Sequence, residues 1–255
     1  MTAEPSALLD IQGAIATVTF NRQQAYNSIG LDEAKYLATL APRITENPDI
    51  RVVVLRGNGP AFCAGGDIRC FVAHIDNIEP MVRELLEALH VFLMALRDGP
   101  RIVLTSVHGA AAGAGFSIAA LGDICIAADS ARFTTAYNKL GVTPDGGGSI
   151  GIVERVGSRK ALELFLATDS LTAQQALELG LVNQVVPADQ LEAATADLAA
   201  RLARNTPDAI RLTKQLVQQS SRTPAAAQLD AELEAMAHCM QTPAFREAIS
   251  RFVKK

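Results

Sequence analysis

Short, wholly apolar runs alternate with loops of small residues along this chain, and that rhythm constrains the fold more than any other feature. Val52-Val53-Val54-Leu55 is apolar throughout and is bracketed by Arg51 and Arg56. A strand with one wet face would alternate apolar and polar residues. An unbroken run predicts a strand buried on both faces, as in a parallel sheet covered by helices. The loop Gly57-Asn-Gly-Pro-Ala-Phe-Cys-Ala-Gly-Gly-Asp67 follows it. An amphipathic helix over Ile78 to Leu96 leads to a second run, Ile102 to Val107. A second small-residue loop, His108-Gly-Ala-Ala-Ala-Gly-Ala-Gly115, then opens an apolar helix. A third run, Ile124 to Ala127, follows Asp123. Upstream, Leu8 to Phe20 reads as a hairpin turning at Gln12-Gly13. Leu31 to Ile44 has helical periodicity, in a region that Pro48 ends. The pattern predicts an α/β fold with parallel strands, and ligands bind such sheets beyond the carboxyl ends of the strands.

The last third changes character. Thr172-Ala-Gln-Gln175 is a capping box, and Gly180 closes its helix. Thr206-Pro207, Thr223-Pro224 and Thr242-Pro243 each predict an N-cap threonine before a first-turn proline. The helices they open carry wide apolar faces: Ile210, Leu212, Leu216 and Val217; Leu229, Leu233 and Met236; Phe245, Ile249 and Phe252. Such faces must pack on the rest of the chain or on a neighbouring subunit. The expected division is a core over residues 1–200 and a helical oligomerisation region over 201–255.

Composition narrows the partners. With 49% hydrophobic and 20% charged residues in a chain of 255, a sizeable core is expected. The net charge is -4, with no basic stripe, so nucleic acid is not expected as a partner. No run of about 18 apolar residues predicts a membrane span. The first ten residues lack the basic-then-apolar pattern of a secretory leader. Cys63, Cys70, Cys125 and Cys239 form no CxxC pair, and the four histidines have no metal-ligand spacing. No metal is expected, and a reduced, cytoplasmic setting is the simplest reading.

Three places offer chemistry. Gly65-Gly66 lets backbone approach a ligand closely. Gly113-Ala114-Gly115 opens an apolar helix, whose first amides are unpaired. Two such amides converging on one point make an oxyanion hole, each donor being worth roughly a hundred- to a thousandfold in rate. The competing reading is that these glycines only make tight turns. The third place is Asp145, in Gly141-Val-Thr-Pro-Asp-Gly-Gly-Gly148. Proline followed by an acid is also ordinary helix-initiation chemistry. In an apolar pocket the same carboxyl would be suited to moving a proton. Two motifs mislead. Gly147-Gly-Ser149-Ile-Gly151 matches a nucleophile elbow, yet the stretch before it contains Pro144, Asp145 and Gly146 and makes a poor strand. Gly113-Ala-Gly115-Phe-Ser-Ile118 resembles a dinucleotide fingerprint but has Ile118 where Gly or Ala is needed.

Taken in order, several pieces resemble the crotonase (enoyl-CoA hydratase/isomerase) superfamily over nearly the whole chain. They are Asn21-Arg22 with Ala25-Tyr-Asn27-Ser28; Val52 to Leu55 leading into Gly-Pro-Ala-Phe-Cys-Ala-Gly-Gly-Asp-Ile68; Val107 to Gly115; Cys125-Ile-Ala-Ala-Asp129 with Arg132-Phe133; Gly141-Val-Thr-Pro144; and Ala176 to Asn183. The resemblance implies a spiral of ββα units with a C-terminal helical region, assembled as trimers or dimers of trimers. It implies an acyl-CoA thioester substrate, coenzyme A entering as part of that substrate, with no permanently bound cofactor. The thioester oxygen would sit between the amides of Gly66 and Ala114, and adenine and phosphate contacts would fall near Ala25, Ala64, Asp67 and Ile68. The family's hydratases resemble one another in using two glutamates, and the matching positions here are Ser117 and Tyr137, expected to line the pocket. Pro144-Asp145 instead resembles a branch of isomerases with an aspartate acid/base, among them ring-opening and double-bond isomerases. The expectation is therefore an isomerase. Broad-sense hydration, hydrolysis or dehalogenation with Asp145 as nucleophile, and non-catalytic acyl-CoA binding remain open alternatives.

Overall fold

The computed structural model describes residues 4–253, with side chains described through Arg251. The hairpin is β1 (Ala7–Gln12) and β2 (Ile15–Phe20), in antiparallel register with Gln12 opposite Ile15. Helix α1 (Leu31–Thr45) is followed by strand β3 (Val52–Gly57) and short helix α2 (Ile68–Ala73). Then come α3 (Ile78–Arg97), β4 (Ile102–Val107), β5 (Ala110–Ala112), α4 (Ala114–Leu121) and β6 (Ile124–Ala128). Next are β7 (Arg132–Thr134), α5 (Tyr137–Leu140), α6 (Gly148–Ala167), β8 (Leu171–Thr172), α7 (Ala173–Glu178) and β9 (Gln184–Val186). Four helices finish the chain: α8 (Leu191–Leu202), α9 (Pro207–Gln219), α10 (Ala225–Gln241) and α11 (Pro243–Val253).

Six strands form one sheet in the order β1-β2-β3-β4-β6-β9, parallel from β2 onward. Its apolar runs are explained by burial on both faces. Val53, Leu55, Val103 and Cys125 pack with α1, α3 and α4, whereas Val52, Val54, Leu104 and Ile126 pack with Leu191 and Ala199 of α8. A second, three-stranded sheet has the order β5-β7-β8, with β5 parallel and β8 antiparallel to β7. Sequence patterning did not show it, because its strands are two or three residues long and β5 is all alanine.

The capping expectations are met at Thr172 and Thr206, which accept from the backbone N–H of Gln175 and Ala209. Thr242 accepts from Phe245 N at 3.3 Å. Thr223 corrects the pattern. Its hydroxyl donates to Gln219 O, closing the end of α9, and Pro224 takes the cap position of α10. Of the faces expected to pack, Ile210 is buried, but Leu229, Leu233 and Met236 are 64%, 62% and 60% exposed. Phe252 lies outside the described side chains.

Candidate active site

The first loop reaches its place because it bridges two neighbours. Cys63 N donates to Ala110 O and Ala112 N to Cys63 O, tying the loop to β5. On its other side Ile29 N donates to Gly65 O and Asp67 N to Ile29 O. These bonds leave Gly66 between two fixed points with its own N–H unused. Gly65 has φ +93°, and a methyl added there would stand 2.6 Å from Ala112 O and 3.2 Å from Ala114 N. Only glycine permits that approach of the two loops.

The second loop turns at Gly113 (φ +51°), whose N–H donates to Thr134 O of β7. Ala114 is the first residue of α4, where an amide has no partner within the helix. Among the described residues no internal hydrogen bond uses the N–H of Gly66 or of Ala114. Adjacent loops therefore present two free amides, one of them at the positive end of a helix whose residues are all buried. The ring of Phe71 lies against Gly66, since a methyl added to that glycine would come within 2.6 Å of Cζ.

Asp145 arrives from a third direction. Its turn is closed by Gly148 N donating to Asp145 O at 2.9 Å. Helix α6 starts at Gly148 with Gly147 as cap, so Asp145 lies outside its first turn and does not serve as helix-initiating acid. The turn packs on α4: a methyl on Gly146 would be 3.5 Å from Ala114 Cα. The half-buried carboxyl accepts at Oδ1 from the Tyr137 hydroxyl at 2.8 Å, and Tyr137 is 2.7 Å from Ser117 Oγ. Ser117 is fully buried and Tyr137 is 6% exposed, so both are packed against the Asp145 turn.

Burial raises the Asp145 pKa above the usual carboxylate value, against the lowering effect of the Tyr137 hydrogen bond and of His90. Burial, then the neighbouring Asp145 charge, pushes the Tyr137 phenol upward, so it stays protonated and donates. Burial likewise pushes the Cys63 thiol up to about 12. The chemistry this permits is proton transfer by a carboxyl beside two amides that are free to donate. His90, an exposed residue of α3, escaped the sequence reading. A polar residue on the wet face of an amphipathic helix carries no signal of its own.

The rim residues divide. Ala64 N donates to Tyr26 O, which brings Ala64 beside the turn of Ala25, and Ile68 is exposed at 49%. Asp67 is engaged inward. It caps α2 by accepting from Arg69 and Cys70 N–H, and pairs with Arg22 at 3.0 Å. Burial alone would raise its pKa, but Arg22 and the two amides hold it below the ordinary value. Its carboxylate thus organises the rim from inside. Ser149 of the elbow-like motif is exposed in the first turn of α6 with no strand before it, and His238 pairs with Asp208. No group of three or more metal-ligating side chains occurs among the described residues.

A match to the family described as enoyl-CoA hydratase/isomerase spans residues 10–255. This chain belongs to that family. A probable enoyl-CoA hydratase of Rhodobacter capsulatus is 32% identical over 96% of this chain and 94% of its own. The 1,2-epoxyphenylacetyl-CoA isomerase of Escherichia coli is 32% identical over 97% and 95%. Among solved structures, an enoyl-CoA hydratase from Polaromonas superposes with a TM-score of 0.91 at 29% identity, covering 97% of this chain and 96% of that one. A putative enoyl-CoA hydratase from Thermobifida fusca, solved with acetoacetyl-CoA, superposes at 0.84 with 28% identity over 92% and 95%. The architecture is the crotonase fold, and the protein is an acyl-CoA enzyme of the hydratase/isomerase family. Its relatives carry both hydratase and isomerase names.

Proposed function

We propose that this family member isomerises an acyl-CoA thioester, moving a double bond or opening a ring, with Asp145 as acid/base. One observation carries the reading. The positions matching the two hydratase glutamates hold Ser117 and Tyr137, and their hydroxyls run in series to Asp145. Neither hydroxyl can replace a carboxylate that activates water. Asp145 can take a proton from a carbon near the thioester while the Gly66 and Ala114 amides hold the enolate oxygen. Returning the same proton to a different carbon completes the reaction without a net gain or loss. A carboxyl whose pKa is raised by burial suits both halves of that cycle.

The substrate brings coenzyme A with it, and the rim of Ala25, Ala64 and Ile68 is where its adenine and phosphates are proposed to rest. The exposed stripe of Leu229, Leu233 and Met236 supports association into trimers or dimers of trimers, which sedimentation equilibrium tests.

Asp145→Asn is expected to lower kcat by about a hundredfold or more without lowering the unfolding midpoint. The assay is a panel of acyl-CoAs followed for isomerisation, hydration and hydrolysis in parallel. Near-normal turnover in the variant would sink the assignment. A covalent aspartyl adduct seen by mass spectrometry at single turnover would replace acid/base chemistry with nucleophilic catalysis.

A further inference from the structure

We infer that Tyr137, backed by Ser117, is a positioning residue that occupies Oδ1 of Asp145 and leaves Oδ2 as the atom that takes and returns the substrate proton. The inference rests on the acid/base reading of Asp145 and adds a direction to the hydrogen bonds behind it. An ionised carboxylate only accepts, so the Tyr137 proton must point at Oδ1. With its one proton committed, the Tyr137 oxygen accepts from Ser117 Oγ at 2.7 Å. The order is then Ser117 to Tyr137 to Asp145, with every donor spoken for. The Tyr137 hydrogen bond draws charge from Oδ1 and makes it the less basic oxygen, so when Asp145 picks up a proton it goes to Oδ2, which accepts no hydrogen bond among the described residues. The series ends at Ser117, which is fully buried and has Gly148 packed against its Oγ. It offers no exit to water by that route.

The packing makes this geometry hard to vary. Tyr137 sits at the start of α5 with its ring edge-on to Phe165, centroids 6.3 Å apart. The preceding Ala136 is left-handed at φ +62°, which fixes where the ring begins. Among its other neighbours, His90 from α3 acts on Asp145, and the Asp145 charge in turn acts on the Cys63 thiol of the first loop. The thiol stays neutral at working pH, so His90 is the neighbour to control for.

The test is the pH dependence of turnover in Tyr137→Phe, read in the wild-type and in the His90→Gln background. Phenylalanine keeps the ring against Phe165 and removes only the hydroxyl. A hydrogen bond to a charged group is lost, so kcat should fall roughly ten- to a hundredfold with KM little changed. Losing a donor to the carboxylate favours its protonated form, so the acid limb of the kcat/KM profile should move to higher pH in both backgrounds. Ser117→Ala should move the limb the same way by less, and it gives the same readout should Tyr137→Phe fold poorly. An unmoved acid limb, or a rise in KM alone, overturns the inference and makes Tyr137 a wall of the pocket. Asp145→Asn separates the two claims. If that variant turns over normally the acid/base reading itself fails. If it is inactive while Tyr137→Phe keeps the wild-type profile, only the positioning role fails.

Discussion

Asp123 and Asp145 both point inward in this protein, and they are partnered in opposite ways. Asp123, just before β6, accepts from Val103 N and from Lys214 Nζ, both at 2.8 Å on Oδ2. Lys214 comes from α9, is 3% exposed along its side chain, and also donates to Leu96 O and Arg101 O. Asp145 has no such cation. Its hydrogen-bonding partner is the neutral Tyr137 hydroxyl, backed by Ser117. The contrast separates structure from chemistry. The Asp123 carboxylate is locked to an ammonium and serves to fasten α9 to the sheet. A half-buried carboxyl held by a neutral hydroxyl can change its charge, and it stands beside two unused amides.

The largest effect is expected on the structural side. Lys214→Met leaves two carbonyls and a carboxylate without their donor, and removing one partner of a buried pair costs about 3–5 kcal/mol. Burial already lowers the Lys214 pKa, with Asp123 opposing, so the pair is under the desolvation that makes its loss costly. Urea unfolding should show the drop, while turnover per folded molecule at low temperature stays within about threefold because Lys214 is not near the reacting atoms. A comparable loss of turnover in the folded fraction would erase the distinction between the two carboxylates.

The chemical side is sharpened by Ala114→Pro. Proline removes the N–H but suits the first position of a helix, so α4 should survive. If that amide binds a developing oxyanion, kcat should fall roughly a hundred- to a thousandfold, as for other single oxyanion donors. A variant that folds and turns over within tenfold of wild type would show that Ala114 N–H is not a donor to the reaction.

Which of these features can be seen in the chain itself depends on whether they are local. Val52 to Leu55 announces a strand buried on both faces because each residue states its own burial. The glycines at 65 and 113 stand out because loop approach and left-handed turns demand them. The β5-β7-β8 sheet is silent, since alanine pairs as readily as it coils and strands of two or three residues have no period. Thr223 looks like a cap because the Thr-Pro pattern is local, but its hydroxyl answers to a carbonyl at the end of the preceding helix. Asp145 is visible as a Pro-Asp turn, and the family resemblance marks Ser117 and Tyr137. That those two hydroxyls face the carboxyl in series is a tertiary fact, set by the packing of α4, α5 and the turn before α6. His90 influences Asp145 only because α3 docks nearby, and nothing in its sequence neighbours says so.

The smallest expected effect is on stability, and its sign discriminates between the two carboxylates. Burial raises the folded-state pKa of Asp145, so the folded protein holds this proton more tightly than the unfolded chain does. Stability from this group is therefore full below the unfolded carboxylate value of about 3.9 and is lost as pH rises through the raised folded value. Asparagine cannot ionise and keeps an oxygen for the Tyr137 hydroxyl. Asp145→Asn should thus melt at or slightly above wild type at neutral pH, with the difference shrinking as pH falls through that window. Asp123→Ala should melt lower at neutral pH, because it strands the Lys214 ammonium among two carbonyls. Thermal melts of both variants against wild type from pH 4 to 8 read the two signs directly. If Asp145→Asn were the one destabilised at neutral pH, Asp145 would be a structural carboxylate like Asp123, and its free oxygen would need another explanation.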